Sequence, residues 1–204
     1  SQIESAVLYG VIDADALNIM NRNNYNRYRM EKRGVIKLFT CPECGAPLTH
    51  FYPRRCKCGF QPPITDNILR LADNPPIFGL SHDKPDIQFI RQRFGDDLLI
   101  LALGAANISD LIELCWYGDH GKCEFVVLDG DFARLVDAER EIHTKNYSQI
   151  LFALDDLSSP HIMPGNFDLI IDGTADKLGG RKNSLALLKK GGCLIRGGSI
   201  VCEA

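Results

Sequence analysis

The chain has 204 residues, 45% of them hydrophobic and 24% charged, with a formal net charge of −3. That is enough for one domain of ordinary size beside a small module. The balance is that of a folded soluble protein, and no apolar run reaches the roughly 18 residues that a bilayer-spanning helix needs.

The charge is unevenly spread. Residues 1–21 carry three acids and no base, residues 22–57 carry nine Lys/Arg against two Glu, and residues 58–204 carry fourteen bases against twenty-one acids. Within 3–20, apolar residues recur at spacings of three and four, which predicts an amphipathic helix broken near Gly10. This opening has no basic start, and Asp13 and Asp15 interrupt its apolar positions, so it does not read as a signal peptide. A cytoplasmic protein is the expectation, with reduced thiols. Residues 21–34 are polar, basic and aromatic and end at a glycine stop signal. VIKLF (35–39) predicts a short strand.

Four of the eight cysteines fall in residues 41–58, as Cys41-Pro-Glu-Cys44-Gly and Cys56-Lys57-Cys58-Gly. Two residues between thiolates let one tight turn aim both sulfurs at a metal, and the following glycine permits that turn. The second knuckle is one residue short of C-x-x-C-G, with Arg55 where its first cysteine would fall; His50 is an alternative ligand to Cys56. Four thiolates leave a zinc ion no open position, so the metal expected is structural. Around the cluster, nine cations between Arg22 and Lys57 alternate with Tyr25, Tyr28, Phe51 and Tyr52. Such a surface suits RNA phosphates and stacked bases, or pairing with the acidic part of the same chain.

Residues 73–86, with a Pro-Pro pair and a further proline turn, read as a linker. From 87 onward the pattern changes. Apolar runs at DDLLILALGAAN, CEFVVLDGD, SQILFALDDL, FDLIIDGT and GGCLIRGG alternate with the helical stretches ISDLIELCWYGD, FARLVDAEREIHTKN and RKNSLALLKK. Short continuous apolar strands between helices predict an α/β fold: a Rossmann-like, mostly parallel sheet with helices on both faces. The expected division is a helical segment 1–34, a zinc ribbon 35–72, a linker 73–86 and a Rossmann-like domain 87–204. Ligands of such sheets bind at the carboxyl ends of the strands. Cys115, Cys123, Cys193 and Cys202 read as core or edge residues; His82, His120, His143 and His161 read as surface residues.

The stretch CPECGAPLTH…CKCGFQPPITDNILRLA resembles the zinc ribbons at the front of some class I S-adenosylmethionine-dependent methyltransferases. Pro63, Ile64, Asp66, Ile68 and Leu71 fit the tail of that ribbon, whereas Asn67 and Leu69 stand where its Gly and Pro would be. The resemblance covers most of 38–198 and implies S-adenosylmethionine as cofactor. It implies that Gly104, Ala105 and Asn107 form the turn beside the cofactor, and that Asp129 accepts from the ribose hydroxyls. Asp155 or Asp156 would accept from the adenine amine, and Asp172 would be the general base if there is one. The glycine-rich turn keeps only Gly104, with Ala105, Ala106 and Asn107 in place of the rest, and Ala102 replaces an acid.

The implied function is methyl transfer to RNA or to a small metabolite. The alternative is an inactive methyltransferase-like scaffold that binds RNA or a partner protein, with a homodimer formed through the C-terminal sheet edge. A nicotinamide enzyme is a third reading, for which G-A-A-N is a poor G-x-G-x-x-G.

Overall fold

All five apolar runs form strands, because each is buried on both faces of one sheet. The computed structural model describes residues 35–48, 56–95, 97–106, 108–111, 123–143, 150–175, 181–196 and 199–203. The expected helix over 3–20, the basic stretch 21–34, His50, Arg55, Asn107 and the segment around Trp116 lie outside the described residues.

The elements are β1 (Ile64–Thr65), β2 (Ile68–Arg70), α1 (Ile87–Phe94), β3 (Leu99–Leu103), β4 (Glu124–Asp129), α2 (Phe132–His143), β5 (Ile150–Leu154), β6 (Phe167–Asp172), α3 (Arg181–Ala186), β7 (Leu188–Arg196) and β8 (Ser199–Glu203). They make one eight-stranded sheet, ordered β1-β2-β5-β4-β3-β6-β7-β8. From β2 to β7 the neighbours are parallel; β1 and β8 are antiparallel edges. Counting β3 as the first strand of the α/β repeat, β3 to β7 stand in the order third-second-first-fourth-fifth. That is the doubly wound arrangement, with its switch point between β3 and β6.

Successive strand residues feed opposite cores. Leu101, Val126 and Ile170 face the ribbon base, where Phe39 and Leu48 are buried, and Leu185 of α3 packs on the same side. Ile100, Val127 and Ile171 face the side of α1 and α2, with Ile90 and Leu135. Helices therefore lie on both faces, as expected, and the ribbon shares one of them. Asp86 caps α1 by accepting from the Phe89 amide at 2.9 Å, and Gly95, at φ 77°, ends it.

Three elements differ from the sequence reading. Val35–Leu38 is a 3₁₀ turn, with Phe39 and Thr40 held only by isolated bridges to Ile162 and Pro47. The helix expected through Lys190 stops at Ala186: Leu187 and Leu188 are drawn into the core, and Leu188 pairs with Phe167. The ribbon tail does not stay apart, because β2 joins the sheet beside β5. It is delivered there by a two-residue hairpin in which Asp66 and Asn67 take φ of 50° and 65°. That turn type needs positive φ at both positions, and Asn and Asp tolerate it best after Gly.

Candidate functional site

Three carboxylates stand at the tips of β5, β4 and β6, the last across β3 from the other two, and each is engaged within the chain. Asp129, ending β4, is fully buried. Its Oδ2 accepts from the Ala105 amide at 2.8 Å and its Oδ1 from the Asp131 amide at 2.9 Å. The Arg134 guanidinium, one turn into α2, lies 3.2 Å from Oδ1. Burial raises the Asp129 pKa, and the two amides and Arg134 oppose the rise.

Asp155, just past β5, is also fully buried. Its Oδ1 accepts from the Asp156 amide and lies 2.8 Å from His161 Nδ1, while Oδ2 accepts from the His161 amide at 2.7 Å. The hydrogen bond to Asp155 raises the His161 pKa, against a lowering by desolvation. Asp156 accepts from the amide and the hydroxyl of Ser158 and so shapes its own loop.

Asp172, ending β6, is buried. Oδ1 accepts from the Thr174 amide at 3.0 Å and from its hydroxyl at 2.6 Å; Oδ2 accepts from Nε and Nη2 of Arg196. As a general base it would first have to give up an ion pair.

The turn after β3 needs one glycine. Gly104 has φ 84°, and its amide donates to Leu128 O at 2.7 Å. Ala105 and Ala106 are not among the described residues with positive φ, so the alanines fit without strain.

Over these tips runs the segment expected to be a linker. The Pro76 carbonyl sits so close to Gly130 that a Cβ there would lie 2.1 Å from its oxygen. Phe78 O accepts from Arg134 Nη2 at 3.0 Å. Leu80 bridges Thr174, and its Cδ2 would lie 3.0 Å from a Cβ at Gly104. The Ser81 amide donates to Gly173 O and the Ala175 amide to Gly79 O, both at 2.8 Å. The chain thus crosses the tips of β4, β3 and β6 in turn.

The four thiols converge at the ribbon. All four Sγ atoms lie within 4.8 Å of one another, with Cys41–Cys58 at 3.5 Å and Cys44–Cys56 at 3.4 Å. A tetrahedron with 2.3 Å bonds has sulfur–sulfur edges of about 3.8 Å, whereas a disulfide closes to about 2.05 Å. Amides of Glu43 and Cys44 reach Cys41 Sγ, that of Ala46 reaches Cys44, and that of Cys58 reaches Cys56. Burial pushes the Cys41 thiol up to about 12, and the Cys58 amide draws Cys56 down to about 7. The short second knuckle is absorbed in its turn. Gly45 N bonds Cys41 O across four residues and Gly59 N bonds Cys56 O across three, while Cys41 N and Cys56 N still close onto Ala46 O and Phe60 O. The donor set and spacing fit one tetrahedral zinc.

The sequence reading passed over Arg134, Arg196 and the covering role of 76–81, and it took His161, which is half-buried on Asp155, as a surface residue. The Asp131–Arg134 spacing, i to i+3 at the opening of a helix, is the one local signal for any of them.

No family model matches the chain, and no curated protein sequence matches it. Among solved structures it is similar to a Methanococcus maripaludis protein assigned as an S-adenosyl-L-methionine-dependent methyltransferase, at 20% identity and TM-score 0.47 over 54% of this chain and 52% of that one. It is similar to a SAM-dependent methyltransferase from Aquifex aeolicus, at 13% and 0.45 over 54% and 62%. It is also similar to the cyclase SpnF, at 11% and 0.44 over 59% and 50%. The chain spans between half and two thirds of the length of these proteins. Its α/β class stands on its own strand order. Among the described residues, no helix is long and apolar enough to cross a membrane.

Proposed function

We propose that the chain is an S-adenosylmethionine-dependent methyltransferase domain, fronted by a ribbon that a structural zinc on Cys41, Cys44, Cys56 and Cys58 closes. One observation carries the reading. In a sheet ordered third-second-first-fourth-fifth, the acid ending the second strand, Asp129, is bonded to an amide of the turn after the first, at Ala105. In doubly wound folds that acid meets the ribose of a nucleotide held over the switch point. S-adenosylmethionine, when bound, supplies an electrophilic methyl group on a sulfonium. The carboxylates, as acceptors, suit the hydroxyls and amine of its nucleoside. The space does not while residues 76–81 stay in place, because Asp129 is then fully covered. The acceptor is RNA or a small metabolite. The basic stretch 22–57 favours RNA, and its Lys37 and Lys57 are exposed.

A second reading, a methyltransferase-like scaffold without activity, is favoured by the in-chain pairing of Asp129, Asp155 and Asp172. Its partner, or a second copy of the chain, would meet the edge at β8, which among the described strands pairs with β7 alone.

Calorimetric titration of the zinc-loaded protein with S-adenosylmethionine, repeated on Asp129→Ala, separates the two. Binding that is lost in the variant supports the first reading. No binding to the intact chain, nor to a variant in which residues 76–81 are freed, leaves the scaffold.

A further inference from the structure

The covering segment is a single layer of chain. Pro76, Ile77 and Gly79 are exposed, Ile77 at 65%, although the carboxylate beneath them has no exposure at all. Its grip includes the Arg134 bond to Phe78 O, the two backbone bonds that join Gly79 and Ser81 to Ala175 and Gly173, the Phe78 side chain packed on the core, and the Leu80 side chain against Gly104. Three of its footholds, Gly104, Gly130 and Gly173, are residues without a side chain. At Gly130 the carbonyl of Pro76 occupies the volume that even a methyl group would need. A segment seated this way leaves no room for a nucleoside over the turn after β4, and no route for a hydroxyl to reach Asp129.

We propose that residues 76–81 are a strap that plugs the nucleotide crevice, so that docking of the strap and binding of the nucleoside end of a ligand exclude each other. The inference rests on the methyl-transfer reading of the crevice and adds its regulation: the chain at rest is closed, and ligand enters only when the strap has left the tips of β3, β4 and β6. The apparent dissociation constant is then the intrinsic one divided by the open fraction. Anything that loosens the strap tightens binding by the same factor, until the strap is fully open.

Two substitutions open it by different routes. Gly130→Ala places a methyl group against Pro76 O and expels the strap from beneath. Leu80→Ser removes its apolar contact over Gly104 and adds no bulk to the crevice. The experiment measures hydrogen exchange of the Ser81 and Ala175 amides on the zinc-loaded chain, and titrates the same samples with S-adenosylhomocysteine. Expected are exchange at both amides about tenfold faster in each variant, a dissociation constant tighter by a matching factor in Leu80→Ser, and faster exchange in the wild type when ligand is saturating. Faster exchange with unchanged affinity overturns the plug and leaves methyl transfer standing. Slower exchange on adding ligand also overturns it, since the strap would then be closing over the ligand. Unchanged exchange in both variants shows that these contacts do not hold the strap, and the proposal fails. Absence of binding to opened variants overturns both the plug and the methyl-transfer reading.

Discussion

Arg134 ties two parts of the molecule to one charge: its Nη2 lies 3.2 Å from Asp129 Oδ1 and donates at 3.0 Å to the carbonyl of Phe78. The acid that ends the second strand of the α/β repeat and the segment that covers it therefore share one guanidinium. Nε of the same group bonds Asp131 Oδ2 at 3.1 Å, which fixes the side chain along the first turn of α2. The shared contact makes the state of the crevice depend on how firmly Arg134 holds both partners.

Removing the guanidinium leaves a fully buried carboxylate with only two amides to balance it. Arg134→Met is expected to lower unfolding stability by ~2–3 kcal/mol, because an uncompensated buried charge costs more than the pair contributes. Adding Asp129→Asn to it is expected to recover part of that loss, since the charge has gone. Urea denaturation of the wild type, both single variants and the double variant measures the coupling. Additive losses would show that Arg134 does not act on Asp129.

His161 gives the fold a pH dependence. Its pKa is raised by the hydrogen bond to Asp155, and Asp155 and Asp156 are the charges acting on it. A folded-state value above the unfolded one means that its stabilising contribution is fully present below the ordinary histidine value and is lost as pH rises through the raised value. Stability measured from pH 6 to pH 8 should therefore fall more in the wild type than in His161→Gln. The His161 Cε1 proton should titrate above 6.5 in the folded chain. A midpoint at or below 6.5 would remove the effect.

The hairpin between β1 and β2 tests how far an asparagine replaces a glycine. Asn67 has φ 65°, and its Nδ2 donates to Glu139 Oε1 on α2 at 2.7 Å, with both residues buried. Asn67→Gly keeps the backbone and loses the bond, at a cost of about 1 kcal/mol. Asn67→Ala loses the bond and also strains a left-handed residue, for about 2–3 kcal/mol in total. Thermal unfolding should rank the chains as wild type, Gly, Ala. A glycine variant as stable as the wild type would show that the buried bond contributes nothing.

These residues also show what the sequence made legible. The α/β class was readable because strands buried on both faces are written as continuous apolar runs, and Asp129, Asp155 and Asp172 were readable as strand-end acids because the runs stop there. What engages them was not readable. Arg196 lies twenty-four residues after Asp172, and His161 follows Asp155 across a loop whose conformation no local pattern fixes. The proline pair at 75–76 marks a turn, but composition does not say what a turn lies against. The helix expected through Lys190 ended early because burial of Leu187 and Leu188 outweighs local helix propensity.

The ribbon can be tested through its metal, because two of its thiols, Cys41 and Cys56, pack into the same core as its base. Cys41 is buried beside Phe39 and Leu48, and the ribbon is tied to the α/β part by Thr40 N to His161 O at 2.9 Å and by Met163 N to Leu38 O at 2.7 Å. One zinc per chain is expected by elemental analysis, with a binding free energy of order 10 kcal/mol that is also folding free energy for the ribbon. Chelation should therefore lower the melting temperature and speed hydrogen exchange at the Thr40 and Met163 amides, while amides in the middle of β3 and β4 keep their protection. Cys44→Ser should bind zinc more weakly and reproduce the chelated state. Retention of a full equivalent of zinc by that variant would remove Cys44 from the ligand set. Unchanged exchange at Thr40 after chelation would separate the metal from the docking of the ribbon.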